Sequence, residues 1–187
     1  MHALETYALV SGAKIGDCWI QEEEIQIPEG RYITFHPHHD KGTARKYLYW
    51  QRVISLITDE LEDLEIVQIG EATDQVWQDK LSCINSSLLG KTNYNSLAYV
   101  INNSELHLGY DSLAVHLASH FQKKIVAIYP HWAKSSGPYF SKPEDARVME
   151  PDFSTTKPCY AYDDPAQMIN TIKPELIANA VIDLLKS

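Results

Sequence analysis

Residues 105–129 read Glu105-Leu106-His107-Leu108-Gly109-Tyr110-Asp111-Ser112-Leu113-Ala114-Val115-His116-Leu117-Ala118-Ser119-His120-Phe121-Gln122-Lys123-Lys124-Ile125-Val126-Ala127-Ile128-Tyr129, and their pattern decides the fold class. Glu105 to Leu108 is a short strand closed by Gly109. Ala114, Leu117, Ala118 and Phe121 then recur at helical spacing, so a helix opens at Asp111 and runs through Phe121. Ile125 to Tyr129 is an apolar β-rich run, the next strand. Strand, helix and strand in this order make a crossover unit, which builds a parallel sheet.

The same alternation extends in both directions. Upstream, Tyr32 to Phe35 is a strand, and a polar loop follows from His36. Tyr47, Trp50, Val53, Ile54, Ile57 and Leu61 place an apolar stripe on a helix that starts at Arg45. Residues 64–69 are a strand closed by Gly70, residues 75–84 a weaker helical stretch, and Tyr94 to Ile101 a short helix. Downstream, residues 130–162 are rich in Pro, Ser and Gly and read mostly as loop, with one more strand near 147–149. Pro165 and Pro174 each suit a first helical position, and the last helix runs from Pro174 to Leu185. At the start, Ala3 to Val10 is a helix stopping near Gly12, while residues 19–27 fit strand or loop equally. The reading is α/β: a three-layer Rossmann-like domain with a mostly parallel sheet. It treats 1–187 as one unit, with 1–30 a linker-like helix and lead-in and 31–187 the main body.

The 187 residues carry 16 basic and 25 acidic side chains, for a formal charge of −9. A field of that sign repels polyanions, so nucleic acid is not an expected partner. A small phosphorylated ligand stays compatible, because backbone amides and a few local cations hold it. Cys18, Cys83 and Cys159 are far apart, which fits reduced thiols rather than a disulfide framework or thiolate zinc site. With neither a secretory leader nor a membrane span in the sequence, a cytoplasmic location is expected.

In a doubly wound sheet, ligands bind beyond the carboxyl ends of the strands. Three strand-end loops carry unusual residues there: 36–46, 70–74 and 109–116. Asp111 or Ser112 caps the helix behind it, and the free amides form an anion site; capping alone is an equal reading of those two residues. His116 lies just over one turn into that helix. His36 and His38 share a face at a strand end, but Pro37 lies between them and no distant ligand set accompanies them. The loop reads as a contact to phosphate or ribose, with no metal site and no cofactor expected. Lys41, Arg45 and Lys46 form the one basic cluster of the chain, which equally fits a solvated helix start.

Residues 89–129 resemble the signature region of the heptosyltransferases, the glycosyltransferase family 9 type. The resemblance rests on Gly90-Lys91-Thr92, Ser96-Leu97-Ala98, Glu105 to Gly109, and Asp111-Ser112-Leu113-Ala114-Val115-His116-Leu117-Ala118, in that order. Tyr32 to Pro37 looks like the family's first strand of this half. Lys46 stands where the family places a donor-contacting lysine and the start of a helix, and Gly70-Glu71 where an acid reads the nucleoside. The resemblance implies the C-terminal, donor-binding half of a GT-B glycosyltransferase. One departure is Leu113, where the family has a glycine that lets the backbone approach a diphosphate. Another is that the family's acceptor and catalytic base lie mostly in the other half, so the resemblance assigns no catalytic residue.

Two functions follow. The first is a stand-alone glycosyltransferase-like domain that binds a nucleotide or nucleoside diphosphate sugar, with a purine favoured. It is a non-catalytic binding or sequestering protein, for instance of a signalling nucleotide. The second is a donor-binding subunit of a split or oligomeric glycosyltransferase, which needs a homo-oligomer or a separate acceptor-domain chain. The expected ligand contacts are His36, His38, Lys46, Glu71, Asp111, Ser112 and His116.

Overall fold

The structure is a computed structural model that describes residues 1–16, 18–37, 46–72, 81–82, 84–158 and 168–187. Six strands form one parallel sheet: β1 (Tyr32–His36), β2 (Glu65–Gln68), β3 (Ser86–Ser87), β4 (Leu106–Tyr110), β5 (Lys124–Ile128) and β6 (Ala146–Met149). Their order is β3-β2-β1-β4-β5-β6. The helices are α1 (Ala3–Ser11), α2 (Trp50–Glu60), α3 (Tyr94–Asn103), α4 (Leu113–His120) and α5 (Pro174–Lys186). The chain walks outward from β1 to β3 and then returns to place β4 against the free side of β1. The direction of winding therefore reverses between β1 and β4, which opens a crevice at their carboxyl ends.

The strands are apolar on both faces, as a parallel sheet covered by helices requires. Ile33, Phe35, Ile66, Leu106, Leu108, Val126 and Ile128 are buried on the face covered by α2 and α5. Tyr32, Val67, Ile69, Ile125, Ala127 and Tyr129 alternate with them and are buried on the face covered by α3 and α4. At the amino-terminal edge, Arg31 grips Glu105 with two parallel hydrogen bonds of 2.8 and 2.9 Å and reaches Asp63 at 3.2 Å. One fork thus ties together the segments that enter β1, β4 and β2, a geometry suited to guanidinium and carboxylate.

Several boundaries differ from the sequence reading. The helix expected from Arg45 begins at Trp50. The backbone before it is held by tertiary partners: Tyr47 N–H donates to the Tyr110 hydroxyl, Leu48 N–H to Asn170 Oδ1 at 2.8 Å, and Asn170 Nδ2 to the Lys46 carbonyl at 3.0 Å. Lys46 therefore lies ahead of the helix and not at its start. The helix expected from Asp111 begins at Leu113, with Ser112 at the N-cap. Strand β4 runs two residues past Leu108 because Gly109 and Tyr110 stay in register with Ala127 and Ile128. Asp111 is thereby left between strand and cap. Strand β3 had no sequence signal, being two serines paired with Val67 and Gln68. Residues 19–27 take neither helix nor strand and lie along α3, where Glu23 accepts from Asn93 Nδ2 at 2.7 Å. Most of the helical stretch expected at 75–84, and Pro165, lie outside the described residues. Pro174 is in the first turn of α5, as expected.

Tyr47, Trp50, Phe35 and Tyr110 pack edge to face, with ring centroids 5.1–5.5 Å apart. The Tyr110 hydroxyl accepts from Tyr47 N–H and from Trp50 Nε1 at 3.3 Å, both in the buried interior. Tyr110→Phe keeps the packing and removes that acceptor. It should cost about 1–3 kcal/mol, the penalty of stranding buried donors. Urea unfolding measures it, and unchanged stability would show that the hydroxyl holds nothing in place.

Candidate functional site

The crevice at the winding reversal contains a cavity of about 400 Å³, within the range of small-molecule sites. His36 at the end of β1 and Ile69, Gly70 and Glu71 just past β2 form one side. Thr92, Asn93, Tyr94 and Leu97 at the start of α3 form another, and Leu113 and Ala114 at the start of α4 a third. Gly90 closes on Ala72 between them. Its φ is +64°, and a Cβ there would lie 2.6 Å from Ala72 Cβ, so the loop from β3 fits only with glycine.

His36 Nδ1 lies 3.1 Å from Ser112 Oγ. Ser112 holds the N-cap position of α4, yet its side chain caps no amide. Val115 N–H donates to the Ser112 carbonyl at 3.1 Å, so the amides that the start of α4 leaves without helical partners are those of Leu113 and Ala114, both on the cavity wall. Under this turn lies His107, which sequence reading passed over as a strand residue. Its Nδ1 is 3.0 Å from Thr34 Oγ1, and its Nε2 has no hydrogen-bond partner among the described residues. Burial, and then the neighbouring His36, push its pKa down to about 3, so the ring stays neutral at ordinary pH. Gly109 covers that nitrogen. A Cβ on Gly109 would stand 2.7 Å from the His36 carbonyl and 3.2 Å from His107 Nε2.

Asp111 faces away from the cavity lining. Its carboxylate lies 3.4 Å from His131 Nε2 and 3.8 Å from His116 Nε2. Burial, followed by the charge of Asp111, raises the Tyr129 phenol. Burial lowers His116 against the pull of Asp111, and His2 pushes it in the same direction as burial. His131 Nε2 also meets Ser136 Oγ at 3.2 Å. His2, the cap of α1, comes close through its Nε2, which is 3.0 Å from the Gly137 carbonyl.

The expected site residues thus fall into groups. His36 and Glu71 line the cavity, and Ser112 touches His36 at its edge. Asp111 and His116 form an adjoining cluster completed by His131 and Tyr129. Lys46 is anchored by its backbone beside Tyr110 and is not on the cavity wall. His38 lies outside the described residues. Tyr94, Asn93, His107 and His131 gave no sequence signal, because nothing local says which strand end they meet. Among the described residues no group of three His, Cys, Asp or Glu is arranged to hold a metal, and no helix is long and apolar enough to cross a membrane.

A six-stranded parallel sheet with a single winding reversal and helices on both faces defines a Rossmann-like α/β domain, matching one half of the GT-B fold. Residues 21–159 match glycosyltransferase family 9 (heptosyltransferase), and the chain belongs to that family. It is similar to the ADP-heptose LPS heptosyltransferase II of E. coli, with a TM-score of 0.67 and 21% identity, over 84% of this chain and 47% of that one. It is also similar to a family 9 glycosyl transferase from Veillonella parvula DSM 2008, with a TM-score of 0.67 and 18% identity over 98% and 50% of the two chains. The E. coli heptosyltransferase WaaC, in its structure with ADP, gives a TM-score of 0.59 and 12% identity over 84% and 46%. At these identities the likeness is one of fold. The chain spans about half the length of these structures. A comparison with curated proteins finds no match.

Two outcomes follow from the buried floor. Gly109→Ala should destabilise the chain by about 1–3 kcal/mol through overpacking against the His36 backbone, as read by urea unfolding; a neutral effect would mean β1 and β4 have room to part. His107 takes up its proton near pH 6.5 when unfolded and near 3 when folded. The unfolded chain therefore binds more protons in that window, and stability falls as pH drops from about 6.5 toward 3. His116 is shifted in the same sense. His107→Asn should flatten the fall in melting temperature between pH 7 and 4; a slope equal to the parent's would remove His107 as its source.

Proposed function

We propose that this chain binds a nucleotide or nucleoside diphosphate sugar at the crevice between β1 and β4. The cavity takes the nucleoside, and the phosphates lie over the first turn of α4 beside His36 and Ser112. The observation that carries this is the joining of a 400 Å³ cavity to a helix start whose cap side chain is turned to His36 instead of to its own amides. A helix amino terminus in that state favours an anion. Glu71, on the cavity wall, accepts from the ribose in this reading. In the same reading Lys46 supplies a cation for the phosphates, and His38 a contact to phosphate or ribose. Asp111 and His116 adjoin the α4 start on the side away from the cavity, where a sugar beyond the diphosphate would sit. Structures of WaaC carry ADP and ADP-2-deoxy-2-fluoro heptose, which favours a purine.

We further propose that this chain's own contribution is binding, in a holding or sequestering role that extends to a signalling nucleotide, in a cytoplasmic setting. Transfer needs an acceptor and a base held in near-attack geometry with the donor. A second reading, the donor half of a transferase, is favoured by the family match over residues 21–159. In it a further chain or copy supplies the acceptor side; the related TibC is described as dodecameric.

Calorimetry with ADP, adenosine and an ADP-sugar tests the binding, and release of free sugar or ADP tests turnover. Binding of ADP at micromolar concentrations without turnover fits the first reading, and turnover with an added acceptor the second. Lys46→Ala should weaken ADP about tenfold, the size of one charge-assisted hydrogen bond of roughly 1.5 kcal/mol, and leave adenosine unchanged. No heat with any of the three at a millimolar would overturn the proposal.

A further inference from the structure

Among the large hydrophobic side chains left exposed in the described residues, Tyr94 at 77% and Leu113 at 48% are the two that line the cavity. Each is the first residue of its helix, and α3 and α4 pack on each other. The backbone that carries Tyr94 is held in place. Asn93 Oδ1 accepts from Asn95 N–H and Ser96 N–H, both at 2.9 Å, and Ser96 Oγ accepts from Asn93 N–H at 2.9 Å, so the turn that carries the ring is closed by a reciprocal cap. The rest of the wall is mostly apolar, with Ile69, Ala72, Leu97 and Ala114, and no lysine or arginine lines it among the described residues. A cavity of that kind suits the uncharged end of a ligand, with its phosphates left at the mouth.

We propose that Tyr94 and Leu113 are the two walls that grip the base of the nucleotide, Tyr94 by stacking and Leu113 by packing where the heptosyltransferase resemblance has glycine. The assignment rests on the binding function proposed above and adds its specificity residues. An aromatic ring stacks on any base through its π-face and loses nothing when its hydroxyl is removed. Leucine has no such preference but excludes water from the edge of the base. Both side chains are exposed on the cavity wall, and a flat apolar group seated in the cavity would cover them.

The test uses the full chain and two probes, ADP and inorganic pyrophosphate, followed by calorimetry. Tyr94→Ala should weaken ADP roughly tenfold or more and leave pyrophosphate within twofold of the parent. Tyr94→Phe should restore ADP to within about threefold, which a hydroxyl contact would not allow. Leu113→Ala should also weaken ADP, with a smaller loss, and bind pyrophosphate no more weakly than the parent. Both side chains are exposed, so melting temperatures in the absence of ligand should stay near the parent's. If the parent binds ADP and Tyr94→Ala binds it equally, or loses ADP and pyrophosphate alike, the stacking wall is wrong while the binding function stands. A Leu113→Ala chain with parent affinity overturns the second wall. If the parent binds no ADP, the binding function itself fails, and this assignment falls with it.

Discussion

The pairing of β1 with β4 is the contact on which the rest of the structure depends. It brings together two segments far apart in sequence, with Ile33 against Leu106 and His36 against Gly109. At its carboxyl end the two backbones come so close that Gly109 has no space for a side chain against the His36 carbonyl. Because winding reverses at this pair, the helices that follow β1 and β4, α2 and α4, cover opposite faces and leave the crevice between them. The absence of a Cβ at Gly109 thus does two things at once. It permits the pairing, and it sets His36 within reach of Ser112.

Around that pair the interior is layered by function. The face covered by α2 and α5 is held by aromatic packing, with the Tyr110 hydroxyl tying the segment of Lys46 and Tyr47 to the end of β4. The face covered by α3 and α4 carries the polar floor, Thr34 and His107, directly below the crevice. A neutral buried histidine costs less there than a charged one, which is why its proton is given up so readily. Asp111, by contrast, sits among Tyr129, His131 and His116, where it is oriented by neighbours on other elements. The same short segment therefore serves several surroundings: Tyr110 points into one core, Asp111 turns to His131 and His116, and Ser112 meets His36 at the cavity edge.

The alternation of apolar strands and amphipathic helices was legible because it is a local property. Burial on both faces of a parallel sheet writes continuous apolar runs such as residues 125–129, and burial of one helix side writes the spacing of Val53, Ile54 and Ile57. The edge strand Ser86–Ser87 was not legible, since its pairing comes from Val67 and Gln68 and not from its own composition. The start of α2 was misplaced for a related reason: the donors of Tyr47 and Leu48 are claimed by Tyr110 and Asn170, and no helical periodicity records that.

For the site, the sequence by itself determined the family and the strand-end loops that face the crevice, because both depend on motif order and on where strands stop. His36, Glu71 and Ser112 were singled out this way; the first two line the cavity, and Ser112 lies beside His36. Only the tertiary structure decided that Tyr94 and Leu113 stand on the cavity wall, that Asp111 turns toward His131, and that His107 lies beneath Gly109. The physical reason is register. Strand β4 continues to Tyr110 because β5 pairs with it that far, and this decides for Ser112 over Asp111 at the cap and sets Leu113 on the cavity wall. A sequence fixes which residues prefer a strand or a cap, but the neighbouring strand fixes where one ends and the other begins.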